Sequence, residues 1–209
     1  MSIGAQYSPM LHYNLLIPGM ICVSIKTAVK EHFQQGPIAD HWAYFFPSES
    51  VNEMNRSIFM DNGLEIRKFN SSDLDNCAEL FKKVFSSYPW YDDWKSLEQA
   101  RNYLNELIKN PAFEGFVACE GSDVVAVCLG HNRSWWTGQE FFVDEFFVEN
   151  EMQGNGIGTK LLDEVSNYLT CENYSRLNLL TNKEIPAEAF YLKNGFYNNL
   201  ERTVMVKEL

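Results

Sequence analysis

Little in this chain supports metal or disulfide chemistry. Its five cysteines (Cys22, Cys77, Cys119, Cys128 and Cys171) are odd in number and scattered, with no CxxC pair. That argues against a disulfide framework or a zinc site and fits a reducing compartment. The four histidines, His12, His32, His41 and His131, are equally isolated, so no metal is expected. Cationic residues are also scarce: 17 Lys and Arg stand against 28 Asp and Glu, for a net charge of −11. A chain so acidic is a poor match for nucleic acid, whose phosphates need cationic side chains along them. Long apolar runs are missing as well. The longest, Leu15 to Ile25, is broken by Pro18-Gly19 and is too short to span a bilayer. No charged segment followed by an apolar run and a small-residue cleavage site opens the sequence, so a cytoplasmic protein without a membrane partner is expected.

Apolar residues make up 45% of the 209 positions and aromatics 14%, so material for a large core is plentiful. The chain divides unevenly. Residues 1–59 hold three basic and four acidic residues, with an aromatic stretch from His41 to Phe46 but no sustained periodicity. They are expected to form an N-terminal extension of unassigned role, either packed on the main domain or lying upstream of a start at Met54 or Met60. A short helix over 25–33 would align Ile25, Ala28, Val29 and Phe33. Residues 60–209 are expected to form the principal domain.

From Leu64 onward, strand and helix alternate. Leu64 to Phe69 reads as a strand, and Ser71 or Ser72 caps a helix to about Phe85 with an apolar stripe of Leu74, Cys77, Leu80, Phe81, Val84 and Phe85. A second helix spans roughly Ser96 to Lys109, ahead of Pro111. Phe113–Glu120 and Val124–His131 are strands joined at Gly121-Ser122-Asp123, and Glu140–Val148 is a third, very apolar one. Leu177–Leu180, a helix ending near Lys193 and a last strand near Thr203–Lys207 complete the order. The expected class is α+β, a three-layer α/β/α arrangement.

The segment after the third of these strands carries the most information. Gln153-Gly154-Asn155-Gly156-Ile157-Gly158 follows a buried strand and opens a helix. Glycines let backbone N–H groups converge on an anion, and the helix N-terminus adds the positive end of its dipole. The spacing rejects two familiar phosphate cradles: Thr159 precedes Lys160, unlike a P-loop, and GxGxG is not the dinucleotide fingerprint.

Gln153 to Gly158 does match the pattern Q/R-x-x-G-x-G/A. Downstream, Asn182 precedes Ala187-Glu188-Ala189-Phe190-Tyr191-Leu192-Lys193-Asn194-Gly195-Phe196, which matches A-x-x-x-Y-x-K-x-G-F. With both motifs in order, the chain from Leu64 resembles the GNAT-type N-acetyltransferase superfamily. The resemblance implies a mixed, splayed central sheet flanked by helices, and transfer of an acetyl group from acetyl-CoA to a primary amine. It implies that backbone amides of Gly154, Asn155, Gly156, Ile157, Gly158 and Thr159 hold the pyrophosphate, with Gln153 also at the cofactor. It further implies main-chain groups of Phe147 and Val148 on the pantetheine arm, Asn182 and Ala187 at the cofactor, and Tyr191 as the acid that protonates the leaving sulfur.

An ammonium must lose a proton before it attacks, so a base or water relay is needed. Asp144 and Glu145 lie inside a run of aromatics, where desolvation raises a carboxylate's pKa. On a strict period of two, Glu145 shares a face with Phe141, Val143 and Phe147, and Asp144 shares the other with Glu140, Phe142, Phe146 and Val148. Glu145 is favoured as base and Asp144 as a contact for the substrate ammonium, although the two could exchange roles. Cys119 and Cys128, without a histidine partner in sequence, read as buried packing rather than nucleophiles.

Ser87 to Trp94 falls where the resembled family builds its acceptor site. Trp90, Asp92, Asp93 and Trp94 suit a small cationic amine through cation–π contacts and charge pairing, and Trp135 and Trp136 are candidates to border the same cleft. The layout is similar to bacterial aminoglycoside-modifying enzymes, but polyamine, amino-sugar and protein N-terminus branches share the motifs. A non-catalytic acyl-CoA sensor or interaction module is the alternative, and a homodimer stays open.

Overall fold

The computed structural model describes residues 57–61 and 63–209. The short helix expected over 25–33, and the extension to which it belongs up to residue 56, lie outside them.

Six strands form one sheet in sequence order: β1 (Ser57–Asp61), β2 (Leu64–Lys68), β3 (Phe113–Glu120), β4 (Asp123–Trp135), β5 (Gly138–Val148) and β6 (Tyr174–Leu179). The first five pair antiparallel, and β6 joins β5 in parallel, making the sheet mixed. Helices α1 (Leu74–Phe85) and α2 (Leu97–Ile108) cover one face; α3 (Ile157–Cys171) covers the other, and α4 (Pro186–Lys193) follows β6. This is the three-layer arrangement the alternation predicts.

Local chemistry sets the helix boundaries. Asn70, rather than Ser71 or Ser72, makes the first cap: its side chain accepts from the Ser72 amide at 3.1 Å, while the Asp73 carboxylate accepts from the Asn70 amide at 2.7 Å. A single 3-10 turn over Ser71–Asp73 then leads into α1. Arg67 pins this corner by a two-pronged ion pair to Asp73, at 2.7 and 2.8 Å. Ser96 caps α2 by accepting from Gln99 N. The stripes face inward as their spacing requires: Phe81 of α1 is a hub, its ring 4.6–5.5 Å from those of Phe85, Trp94, Tyr103 and Phe147. On the opposite face, Ile157, Leu161, Val165 and Leu169 of α3 pack on Ile66, Phe116, Ala126, Cys128 and Phe141.

Three expectations are corrected. First, β5 does not keep a strict period of two. Leu129 pairs with Glu145 but Gly130 pairs with Val143, so Asp144 is an inserted residue, a β-bulge. Phe141 and Val143 therefore pack under α3, whereas Phe147, beyond the bulge, packs under α1. Glu145 lies on the Phe147 side and does not share a face with Phe141 and Val143. Gly130 permits the bulge, since a Cβ there would stand 2.1 Å from the Phe142 carbonyl oxygen. Second, Thr203–Lys207 forms no strand, and residues 201–209 are exposed. Its pattern fits a pleat, yet no neighbour pairs with it within the described residues. Third, β4 runs on to Trp135, which pairs with Gly138 across a tight turn at Trp136-Thr137. Trp135 thus ends a strand rather than following one.

Among the described residues, no helix is long and apolar enough to cross a membrane.

Candidate acetyl-transfer site

The sheet opens next to the glycine loop. Pairing of β5 with β6 runs from Gln139 opposite Tyr174 to Val143 opposite Leu179 and stops there. From Asp144 to Val148, β5 continues beside β4 with its other side unpaired by β6, so the two strands splay. Beyond Val148 comes a 3-10 turn, Asn150–Met152, and then the loop into α3. The side chain of Gln153 ties the loop down, donating to Val148 O at 3.0 Å and to Asn150 Oδ1 at 3.1 Å. Gly154 and Gly156 adopt left-handed backbone, with φ of 79° and 85°, and nothing lies within 4 Å of where their Cβ atoms would sit. Gly158 acts through packing instead. A Cβ there would come within 3.3 Å of Val148 and 3.4 Å of Phe190, so its absence lets α3 approach the strand end. Lys160 is the first residue of the helix whose amide finds an acceptor inside it, Gly156 O at 2.9 Å. The amides of Ile157, Gly158 and Thr159 have no backbone acceptor and point out of the helix N-terminus. Open space over two left-handed glycines, unsatisfied amides behind it and an unpaired strand leading away fit a pyrophosphate with a pantetheine arm.

Two carboxylates stand at the bulge. Oε1 of Glu145 accepts a hydrogen bond from the hydroxyl of Tyr103 on α2. Burial pushes the Glu145 carboxyl up to about 7, with Asp144 and Asp92 adding their negative charge against the lowering effect of Tyr103. Asp144 pairs instead with His131 on β4, Nδ1 to Oδ2 at 2.8 Å, and the His131 ring stacks on Phe142 with centroids 5.7 Å apart. From α4, the Tyr191 ring meets Phe146 at 6.2 Å and Phe196 at 5.4 Å. Its hydroxyl is held protonated, pushed up by burial and further by the nearby Cys128 and Glu145. Asn182 is exposed in the loop before α4, and Ala187 lies half-buried in that helix's first turn.

The segment before α2 divides by role. Trp90 packs at a tilt on Phe85 at 5.4 Å, and Trp94 packs between Phe81 and Tyr103 at 4.9 and 5.3 Å, so both belong to the margin of the core under α1 and α2. Asp93 is exposed and paired with Lys95. Asp92 is also exposed, its amide fixed to Phe85 O at 2.8 Å, and its charge reaches Glu145. Tyr88 and Tyr91 are the exposed aromatics of this stretch. Among the described residues no group of His, Cys, Asp and Glu is arranged to hold a metal. Burial raises the thiol pKa of Cys119 and Cys128, which keeps both protonated.

Sequence reasoning missed Tyr103 and Glu140. Tyr103 lies on the apolar stripe of α2, and a phenol there signals a polar tip reaching inward. Glu140 is wholly buried on β5 and held by Arg133 Nη2 at 3.0 Å, Asn178 Nδ2 at 3.3 Å and Arg176 Nη1 at 3.5 Å. Arg133 is in turn flanked by the rings of Trp135 and Phe142, at 4.8 and 4.9 Å.

The profile of the acetyltransferase (GNAT) family matches residues 74–196, from α1 through the glycine loop to the end of the Tyr191 motif. The chain belongs to this family. A GNAT chain is also what its relatives suggest. It is 28% identical, over 136 residues, to an uncharacterized N-acetyltransferase of Methanocaldococcus jannaschii, and the match takes in 63% of this chain and 59% of that protein. The fold is similar to that of an aminoglycoside acetyltransferase from an uncultured soil metagenomic sample, with a TM-score of 0.56 at 19% identity over 72% of this chain and 99% of the other. It is equally similar to a predicted acetyltransferase with acetyl-CoA from Clostridium acetobutylicum, with a TM-score of 0.55 at 19% identity over 68% and 96%.

Proposed function

We propose that this GNAT chain moves an acetyl group from acetyl-CoA to the primary amine of a small cationic acceptor, by direct attack within a ternary complex. The observation that carries the reading is Glu145: a carboxyl with its pKa near 7, on the strand whose far end leads into the open glycine loop. Acetyl-CoA, when bound, supplies an acetyl group already activated as a thioester. The amides of Gly154 to Thr159 hold the diphosphate, and the main chain of Phe147 and Val148 aligns the arm. Glu145 takes a proton from the acceptor ammonium, directly or through one water, and Asp144 and Asp92 attract its charge. The freed nitrogen forms the C–N bond as the C–S bond breaks. Tyr191, a phenol and so protonated near neutral pH, gives its hydrogen to the departing sulfur and regains one from solvent.

The aminoglycoside acetyltransferase among the similar structures is compatible with such an acceptor. The test is thiol release by the full chain with acetyl-CoA across polyamines, aminoglycosides, amino sugars and peptide N-termini. Turnover above background with at least one cationic amine supports the reading. Binding of acetyl-CoA with no turnover on any of them favours a non-catalytic sensor.

A further inference from the structure

Away from the bulge, the face of the sheet that carries Glu145 changes its charge. Leu129 packs under α1 and α2, and alternation along β4 brings His131 and Arg133 to that same face. Their partners on β5 are Phe142 and Glu140, and Arg176 of β6 pairs with Glu140 in turn. The row that starts at Glu145 and passes the Asp144–His131 pair thus ends at two guanidiniums, one from β4 and one from β6. Leu129 lies opposite Glu145, and Arg133 is four residues further on, a span of about 13 Å along the strand.

Glu140 does not exhaust these two cations. Among the described residues, Arg133 meets it through Nη2 at 3.0 Å and Arg176 through Nη1 at 3.5 Å, and neither makes another ion pair. Two positive charges therefore face one buried carboxylate, in a chain whose net charge is −11. The Nε–H of Arg133 is buried and finds no acceptor among the described residues. The rings of Trp135 and Phe142 hold the plane of the Arg133 guanidinium between them. Both arginines stay open to solvent, with 37 and 40% of their side chains exposed. Arg176 also borders an open groove of about 430 Å³ that Tyr191 lines, so the guanidiniums and the phenol are reached from connected space. A forked guanidinium that grips one carboxylate by an edge keeps its other edge for a second.

We propose that Arg133 and Arg176 bind a carboxylate at the far end of the acceptor, so that the preferred acceptor carries an amine and a carboxylate on one molecule. Its ammonium is drawn to Asp144 and Asp92, and its carboxylate to the guanidinium pair. Glu140 positions the two arginines and does not touch the ligand. The inference rests on the acetyl-transfer reading for its orientation and narrows the acceptor: cationic at the end that meets Glu145, anionic at the other.

Calorimetric titration of the full chain in the presence of CoA tests it, comparing ε-aminocaproate with hexylamine, which has a methyl group in place of the carboxylate. Wild type is expected to bind ε-aminocaproate at least about tenfold more tightly. Arg176→Gln leaves Arg133 on Glu140, and should cancel that advantage while hexylamine binds as before. Arg133→Lys keeps the charge but loses the fork, and should lower the advantage as well. A purely structural role for the arginines would instead weaken both ligands alike. Equal affinity for the two ligands in wild type, no binding of either, or an advantage that survives both substitutions would each overturn the inference. Thiol release from acetyl-CoA with ε-aminocaproate separates this from the transfer reaction itself: Arg176-dependent binding without turnover upholds the carboxylate site and counts against acetyl transfer.

Discussion

The hydroxyl of Tyr103 on α2 donates to Oε1 of Glu145 on β5, joining residues 42 apart in sequence across the α2-covered face of the sheet. The bond holds the carboxylate in one orientation and favours its charged form, opposing the burial that pushes the pKa up to about 7. Base strength at the site is a balance between these two effects.

With Glu145 as base, kcat/KM rises with pH through about 7 as the carboxyl ionises. Glu145→Gln should lower turnover by about 10²–10⁴-fold and abolish that limb, since an amide cannot take the proton. A pH–rate profile of both proteins checks this. A wild-type limb near pH 4.5, the ordinary value of such a carboxyl, places the base elsewhere.

Tyr103→Phe removes the group that favours the carboxylate, so the limb moves to higher pH while the fold persists. The same pH–rate measurement reads the shift. A change in KM alone, with the limb in place, contradicts the positioning role.

The same carboxyl makes stability depend on pH. Its folded pKa lies above its ordinary 4.5, so the folded state holds the proton more tightly and loses stability as pH rises from 4.5 through about 7. The gap between those two values corresponds to on the order of 3 kcal/mol. Glu145→Gln should therefore melt above wild type well above pH 7 and near it at pH 4.5, which differential scanning calorimetry on both sides of the window decides.

Gly130→Ala is expected to destabilise the fold by several kcal/mol, because the new Cβ would meet the Phe142 carbonyl oxygen at 2.1 Å and the bulge must shift. Urea titration measures the loss. A loss below about 1 kcal/mol means that strand β5 keeps its register without this glycine.

Much of the architecture is legible from local signals. The stripes of α1 and α2 and the Ser96 cap are written in consecutive residues, and Gln153 to Gly158 announces a turn into a helix before any partner is known. The bulge at Asp144 is not, because it depends on Gly130 lying opposite, a pairing no window of β5 contains. The parity of the strand changes at that residue, which is why an alternation count puts Glu145 on the wrong face. The network around Glu140 is hidden for the same reason: Arg133, Arg176 and Asn178 come from two other strands. Thr203–Lys207 shows the reverse case, where a strand pattern is present but no strand pairs with it among the described residues.

Calorimetric titration of acetyl-CoA into the full chain, beside Gly156→Val, tests most directly whether the glycine loop grips a diphosphate. Gly156 sits at φ 85° over open space, where a β-branched residue is strained and its methyls fill the cradle. The account predicts saturable binding at one site per chain for wild type, weakened at least tenfold in Gly156→Val. Wild-type protein that takes up no acetyl-CoA, or a variant that binds it as well as wild type, contradicts it.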